Sequence, residues 1–430
     1  MENELLYDLI VVGLGPGGLR AVNIALENNM SVLAFEKEAV GGCCLNKGCI
    51  PTKAILHSSE VYKEFKNSNK LGLEVEGEIK ADIQKIIDRK NKIVSSFNSA
   101  AAKELTKKGA EIIFKKAEID FENLVVNKKY KAKNIIIATG SMPFELPNLP
   151  FDGDKILSSD DVLNMNELPN SIAIIGSGAI GIEWARIFSN LGVQTTIIEK
   201  APNLLPLMDT SIQKRMDRMF KIQRVKTYTN KTAIKFENNK LILDDNTEIE
   251  IEKILVAVGR KRVIPNGLTI NKDLTTNYKN VYAIGDIIAT KMLAHTASMQ
   301  ADFVMNKILN KKTELTEDEM IPSVIYGNPE IASIGINEQD IENIEEYKIY
   351  NLPITFLPKS WCDNQTEGFI KIITKDNLIK GAHIVSSEAS SLITQIQIMM
   401  KTNYKVSEIK DIVFAHPTYS EGIYETIING

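Results

Sequence analysis

The pattern that most restricts this chain is a strand, glycine turn, helix and second strand that occurs twice. The first copy is Asp8-Leu-Ile-Val-Val-Gly-Leu-Gly-Pro-Gly-Gly18, then a helical stretch, then Ser31-Val-Leu-Ala-Phe-Glu36. The second is Ser171-Ile-Ala-Ile-Ile-Gly-Ser-Gly-Ala-Ile-Gly181, then a helical stretch, then Val193-Gln-Thr-Thr-Ile-Ile-Glu199. Each short apolar run bounded by glycine reads as a buried parallel strand. In both copies the acid stands 23 positions after the first glycine of the turn. Such a repeat predicts an α/β chain with two Rossmann-like domains, each binding a dinucleotide.

The residue types match that chemistry. Gly13 permits the tight turn, Gly15 lets the backbone approach a pyrophosphate, and Gly18 lets helix and strand pack closely. The following helix N-terminus offers free N–H groups and the positive end of its dipole to phosphates. Glu36 closes the unit as an acceptor for ribose hydroxyls. Gly176, Gly178, Gly181 and Glu199 repeat the set. A carboxylate at Glu199 repels a 2′-phosphate, and Ala201, Pro202 and Asn203 beyond Lys200 are neutral, so NAD is expected over NADP.

Asn134-Ile-Ile-Ile-Ala-Thr-Gly140 and Ile254-Leu-Val-Ala-Val-Gly259 each end an apolar strand in glycine and could close the respective domain. Val281-Tyr-Ala-Ile-Gly-Asp286 returns to strand character. Pro143 to Pro150 is a plausible linker. Beyond about residue 312 the glycine turns stop. Phe369-Ile-Lys-Ile-Ile and the stretch from Ser386 to Lys401 suggest an α+β third domain.

A net charge of −4 gives no reason to expect nucleic acid or a membrane surface as partner. The start lacks the basic region of a signal peptide, and the uncharged run Ser171 to Ile182 is too short to span a bilayer. A cytoplasmic protein is expected.

Four cysteines are too few for a disulfide scaffold, yet Cys43, Cys44 and Cys49 fall within seven residues. Such a cluster suggests redox chemistry or a metal. His57, His295, His383 and His416 are scattered without ligand spacing, so no metal is expected. In a regular helix, Cys44 and Cys49 would stand roughly 8.7 Å apart at Cα, on faces turned by about 140°. A disulfide needs about 4.4–6.8 Å, so a bonded pair requires an irregular segment, which Gly48 allows. Pro51 suits the first turn of a helix, and Lys47 and Lys53 nearby would lower thiol pKa values. The plain alternative is a set of small buried residues beside a glycine turn. Cys43 reads as space filling and Cys362 as structural. His416-Pro-Thr-Tyr-Ser-Glu421 could form a base-and-orienter pair, although an ordinary surface histidine fits those residues too.

With these residues in place, the chain resembles the pyridine nucleotide–disulfide oxidoreductases, the class containing dihydrolipoamide dehydrogenase, glutathione reductase and mercuric reductase. The resemblance covers nearly the whole length and is strongest to the dihydrolipoamide dehydrogenase branch. Gly41 through Lys53 is similar to that branch's redox segment, with Cys43 where Thr is usual. Met292-Leu-Ala-His295, Pro329-Glu-Ile-Ala-Ser-Ile-Gly335 and His416 to Glu421 resemble further segments, while Lys261 to Pro265 departs from the usual short Gly-Arg-x-Pro-Asn run. Glu199 and Ala179 speak against the glutathione reductase branch, and an end at Asn429-Gly430 without a cysteine pair speaks against mercuric reductase.

The resemblance implies FAD and NAD as cofactors and a Cys44–Cys49 disulfide, with Cys44 meeting substrate and Cys49 facing the flavin. It implies Lys53 near flavin N5, paired with Glu183; Asp286 at the ribityl chain; and Ala117, Thr139, Gly140, Met292, Leu293, Ala294 and His295 lining the FAD site. Gly259 would lie near NAD. His416 would be the acid–base, oriented by Glu421 and reaching the disulfide of the other subunit of a homodimer. The implied domains are 1–147 and 263–312 for FAD, 148–262 for NAD, and 313–430 for the interface. The implied reaction is oxidation of a dihydrolipoyl dithiol, and the implied partner is a lipoyl domain of a 2-oxoacid dehydrogenase or glycine cleavage complex. The rivals are an NAD(P)H-dependent reductase of another small disulfide, and a structural subunit of an acyltransferase complex.

Overall fold

The computed structural model describes residues 5–288 and 291–430. The chain divides into two compact units. The first comprises Met1–Ala54, Lys85–Phe144 and Arg260–Asp318. Its sheet runs in the order Glu111–Phe114, Val32–Glu36, Leu5–Val12, Tyr130–Ile137, Val281–Ala283, all parallel. Two short antiparallel strands, Val125–Val126 and Ile119–Asp120, extend it. Alternate residues serve opposite faces, as the strand period of two requires. Leu9 and Val11 pack with Ala21, Ala25, Ala301 and Val304 from the helices Pro16–Glu27 and Ala294–Ile308. Ile10 and Val12 pack on the other side with Phe35, Ile135 and Ile287.

The second unit comprises Ile55–Gln84, Glu145–Gly259 and Glu319–Gly430. It holds a parallel sheet in the order Lys226–Tyr228, Gln194–Ile198, Ser171–Ile175, Lys253–Val256, Ile156–Leu157. A separate antiparallel sheet runs Ser323–Ile325, Glu330–Gly335, Leu378–Ser386, Phe369–Lys375, Lys348–Pro353. The helices Ala389–Lys401 and Glu421–Asn429 bring Leu392, Ile393 and Ile423 into its core beside Ile334, Ile370 and Ile384. This is the α/β chain with a terminal α+β part that the repeat and composition lead one to expect. The second unit holds most of the segments expected for NAD and for the interface. Residues 55–84 join them because the helix Cys49–Lys66 continues past Ala54, and its Ser59 accepts a bond from Asn190 at 3.3 Å.

A buried ionic cluster ties the two sheets of this unit together. Asp209 caps the helix Thr210–Ile222 by accepting from the Ser211 amide at 2.9 Å. Lys371, on the antiparallel strand Phe369–Lys375, meets both its carboxylate oxygens at 2.8 and 2.9 Å, and the Glu338 amide donates at 2.9 Å. Lys371 is 1 % and Asp209 0 % exposed. Burial pushes the Asp209 carboxyl up, yet His383, Lys371, Ser211 and the Glu338 amide together hold it well below the usual range. Such a folded value stabilises the native state above about pH 4 and loses that stabilisation as the carboxylate is protonated at lower pH.

Lys371→Met leaves a buried carboxylate without its cation and is expected to cost about 3–5 kcal/mol. Urea unfolding followed through buried Trp184 reads this directly. The double variant D209N/K371M should recover most of the loss; a K371M midpoint equal to wild type would show that the pair does not hold the sheets together.

Candidate active site

The two glycine turns have the same geometry. A Cβ on Gly13 (φ +99°) would stand 2.4 Å from the Ala138 carbonyl oxygen, and one on Gly176 (φ +99°) 2.7 Å from that of Ala257. On Gly18 and Gly181 it would meet the carbonyl oxygens of Gly13 and Gly176 at 1.9 and 2.1 Å. The chain's own packing demands those four glycines. Gly15 and Gly178 are different: their φ angles are −69° and −70°. A Cβ on Gly15 would have only Gly42 Cα nearby, at 4.0 Å, and one on Gly178 nothing within 4 Å. Glycine there keeps an open cradle beside helix N-termini that carry no side-chain cap. A pyrophosphate fits such a cradle in both units.

Both acids are buried and held by backbone amides. Glu36 accepts from Leu14 N at 2.8 Å and Glu38 N at 3.0 Å. Glu199 accepts from Ser177 N at 2.8 Å, Ser177 Oγ at 2.6 Å and Ala201 N at 2.7 Å. A carboxylate has about four acceptor positions, so each can still receive a ribose hydroxyl. The sequence reading missed Ser177; its one signal was a hydroxyl as the middle residue of the Gly-x-Gly turn.

In the first unit, Thr139, Gly140 and Asp286 follow the carboxyl ends of parallel strands, the edge that also carries the Gly13 turn and Glu36. Asp286 accepts from Ser141 Oγ, which accepts from Arg260 Nε at 2.7 Å. Thr139 Oγ1 donates to the Val263 carbonyl at 2.6 Å. These bonds account for the unusual run after Gly259: Arg260–Arg262 forms a strand antiparallel to Ser141–Pro143. Ala117 is partly buried against the Ile10 face of the sheet. Met292 and Leu293 lead into the helix Ala294–Ile308, with His295 exposed in its first turn. Gly259, in the second unit, has φ +116° and open space around it.

The redox segment lies directly on the first turn. Gly41 (φ +97°) donates its N–H to the Leu14 carbonyl at 2.7 Å. A Cβ on Gly42 would reach 2.6 Å from Gly15 Cα, so only glycine can stand before the cysteines at this approach. Asn46 and Asn98 both donate to the Val40 carbonyl, at 3.0 and 2.7 Å, and pin the segment. The short helix Gly42–Lys47 stops at Gly48 (φ −143°, ψ −110°), and the helix Cys49–Lys66 then begins. This break is the irregularity a Cys44–Cys49 pair requires.

All three clustered cysteines are half-buried thiols, with Cys44 hydrogen-bonded to Cys49. The expected lowering of thiol pKa does not hold for Cys44. Its bond to Cys49, then its burial, then the nearby charges of Cys49 and Cys43 push it far up, and Lys53 offsets only part. Lys47 meanwhile pairs with Glu38 at 2.6 Å. Cys49 stands at the positive end of the long helix Cys49–Lys66.

In the second unit, Glu183 is buried on the helix Ala179–Asn190 and accepts from Tyr326 N at 3.1 Å. His416 Nδ1 meets Glu421 Oε1 at 2.8 Å, and the Thr418 amide fixes the other carboxylate oxygen at 2.6 Å. A carboxylate only accepts, so Nδ1 carries the hydrogen and Nε2 is the basic nitrogen. The imidazole is 66 % exposed, so Nε2 can reach a group outside this chain.

Residues 7–301 match the model of the pyridine nucleotide-disulphide oxidoreductases, and 321–427 match that family's dimerisation domain, which supports a homodimer. The chain is similar to the dihydrolipoyl dehydrogenase of Mycoplasma pneumoniae, at 30% identity over 97% of both chains. It is similar to that of Bacillus subtilis at 31% identity, over 98% of this chain and 97% of the other. Among solved structures, LpdA from Mycobacterium tuberculosis shares the fold with a TM-score of 0.90, at 21% identity over 97% of this chain and 98% of the other. Over nearly its whole length, this chain belongs to the pyridine nucleotide–disulphide oxidoreductase family, flavoenzymes that use FAD and NAD(H).

Proposed function

We propose that the chain oxidises a dihydrolipoyl dithiol through a Cys44–Cys49 disulfide, with NAD+ as the final acceptor. The observation that carries this reading is the thiol pair bonded across the Gly48 break and seated on the first glycine turn. Full-length similarity to dihydrolipoyl dehydrogenases supports the choice of dithiol.

The residues divide the work as follows. His416 Nε2 takes a proton from one substrate thiol, with Glu421 stabilising the imidazolium. The resulting thiolate attacks Cys44 Sγ; the Cys44–Cys49 bond breaks and Cys49 leaves as a thiolate. The second substrate thiol attacks the mixed disulfide, closing the substrate disulfide and releasing Cys44. Two electrons now reside on the pair. The chemistry FAD supplies when bound is transfer of that electron pair to NAD+ as hydride. The family resemblance would give Lys53 and Glu183 roles in flavin chemistry and Gly259 a role toward the nicotinamide. Thr139, Gly140, Asp286, Ala117 and the stretch 292–295 hold the FAD. His416 serves the disulfide of the other subunit, and a lipoyl domain of a 2-oxoacid dehydrogenase or glycine cleavage complex would deliver the dithiol.

Turnover with dihydrolipoamide is expected to exceed NADH-linked turnover of glutathione disulfide or cystine. The reverse order would favour a reductase of another small disulfide, and no thiol turnover at all would favour a structural subunit. Cys49→Ser should leave a yellow protein without dithiol oxidation, and undiminished turnover in that variant would sink the mechanism. His416→Gln should lower kcat/KM for the dithiol by about 10²- to 10⁴-fold, with flavin reduction by NADH retained.

Glu199→Ala removes a fixed carboxylate acceptor for the ribose. NADH affinity should fall by about 10- to 100-fold, with less change for NADPH, as loss of charge-assisted hydrogen bonds predicts. Equal effects on both nucleotides would show that Glu199 does not select between them.

A further inference from the structure

The two acids of the repeat are held by matching amides and differ in one side-chain contact. Glu36 accepts from the amides of Leu14, the middle residue of its glycine turn, and of Glu38, two positions beyond the acid. Glu199 accepts from the amides of Ser177 and Ala201, which stand at the same places in the second copy. Leu14 is 0 % exposed, and its side chain packs in the apolar core with nothing to offer a carboxylate. Ser177 is equally buried, and its hydroxyl lies 2.6 Å from Glu199 Oε2.

The direction of that bond is fixed. The Leu205 amide meets Ser177 Oγ at 3.2 Å, and an N–H can only donate. Ser177 Oγ therefore accepts from Leu205, and its own hydrogen goes to the carboxylate. Leu205 holds a left-handed backbone (φ +52°), uncommon for a residue with a side chain, and that side chain is buried. The Met208 amide closes the turn on the Leu205 carbonyl at 2.9 Å. The serine hydroxyl is thus anchored by the loop 201–208 and is not left to rotate.

The acceptor positions then separate the two acids. Each carboxylate oxygen offers about two, so each acid has about four. Among the described residues, Glu36 has one position taken on each oxygen and keeps one on each, which suits the adjacent 2′- and 3′-hydroxyls of one ribose. On Glu199 both positions of Oε2 are taken, by the Ser177 amide and hydroxyl, and one of Oε1 by the Ala201 amide. A single position remains, on Oε1. We propose that Ser177 is a positioning residue that sets specificity by making Glu199 a one-hydroxyl acceptor: the serine hydroxyl occupies the place a second ribose hydroxyl would take. This rests on the reading of Glu199 as the acid that receives the adenosine ribose of NAD. The second turn therefore grips its ribose less tightly than the first. That suits a nucleotide that must leave after each turnover, while Glu36 keeps both positions for a cofactor that stays.

The test is calorimetric binding to the oxidised, FAD-loaded dimer of NAD+ and of its analogues lacking the 2′- or the 3′-hydroxyl of the adenosine ribose. Wild type should lose about 10- to 100-fold in affinity for one deoxy analogue, as for one hydrogen bond to a charged group, and less than about threefold for the other. Ser177→Ala frees the second position, so NAD+ should bind about tenfold tighter and removal of either hydroxyl should then cost about that factor. Comparable losses for both analogues in wild type, or a one-sided pattern kept in S177A, overturn the inference. If S177A does not fold, the wild-type pattern decides. Glu199→Ala separates the two levels. An E199A protein with weakened NAD+ binding, beside a wild type that treats both analogues alike, overturns this inference and leaves Glu199 as the ribose acid. An E199A protein that binds all three nucleotides like wild type overturns both.

Discussion

The catalytic arrangement depends on one backbone approach, that of Gly42 to Gly15. The turn that cradles a pyrophosphate and the segment that carries the thiols share this contact, with no room for a Cβ on Gly42. The Gly41 amide on the Leu14 carbonyl, and the two asparagines on the Val40 carbonyl, fix the segment in register. A thiol pair seated on the dinucleotide turn has little freedom relative to whatever binds there. Placement of this kind is what a protein adds to flavin chemistry, since the reactivity belongs to the cofactor.

The repeat shows which parts of the turn answer to the chain and which to the ligand. Four glycines are forced in both copies by carbonyl oxygens of the same unit, while Gly15 and Gly178 are not forced by the protein at all. The acids are treated alike, locked by amides before any ribose arrives. The copies differ where cofactors differ: only the second turn adds a hydroxyl, Ser177, to its acid. That extra donor fixes the orientation of the Glu199 carboxylate.

Local features were legible in the sequence. Both glycine turns, their acids, the closing strands and the need for a break between Cys44 and Cys49 follow from spacing and from the geometry of one helix or strand. Features set by tertiary packing were not. The raised Cys44 thiol could not be read from neighbouring lysines, because its bond to Cys49 exists only once the break is made and Lys47 turns to Glu38 instead. Nothing in the local sequence marks Lys371 or Arg186 as a buried charge. Lys371 meets Asp209 across 162 residues, and Arg186 meets Tyr326 across 140.

The two buried cations of the second unit make an instructive contrast. Lys371 has its counter-charge in contact, and Asp209 is bonded on every side; the pair is saturated and serves cohesion. Arg186 is not saturated: among the described residues, two of its nitrogens have no hydrogen-bond partner. A buried ion pair with an unmet donor is a poor stabiliser, because desolvation is not fully offset. Cohesion alone would be better served by an apolar residue on a helix where Trp184, Ala185, Ile187 and Phe188 are already buried. What Arg186 does that no apolar residue could is hold Tyr326 and keep a positive charge one turn from Glu183.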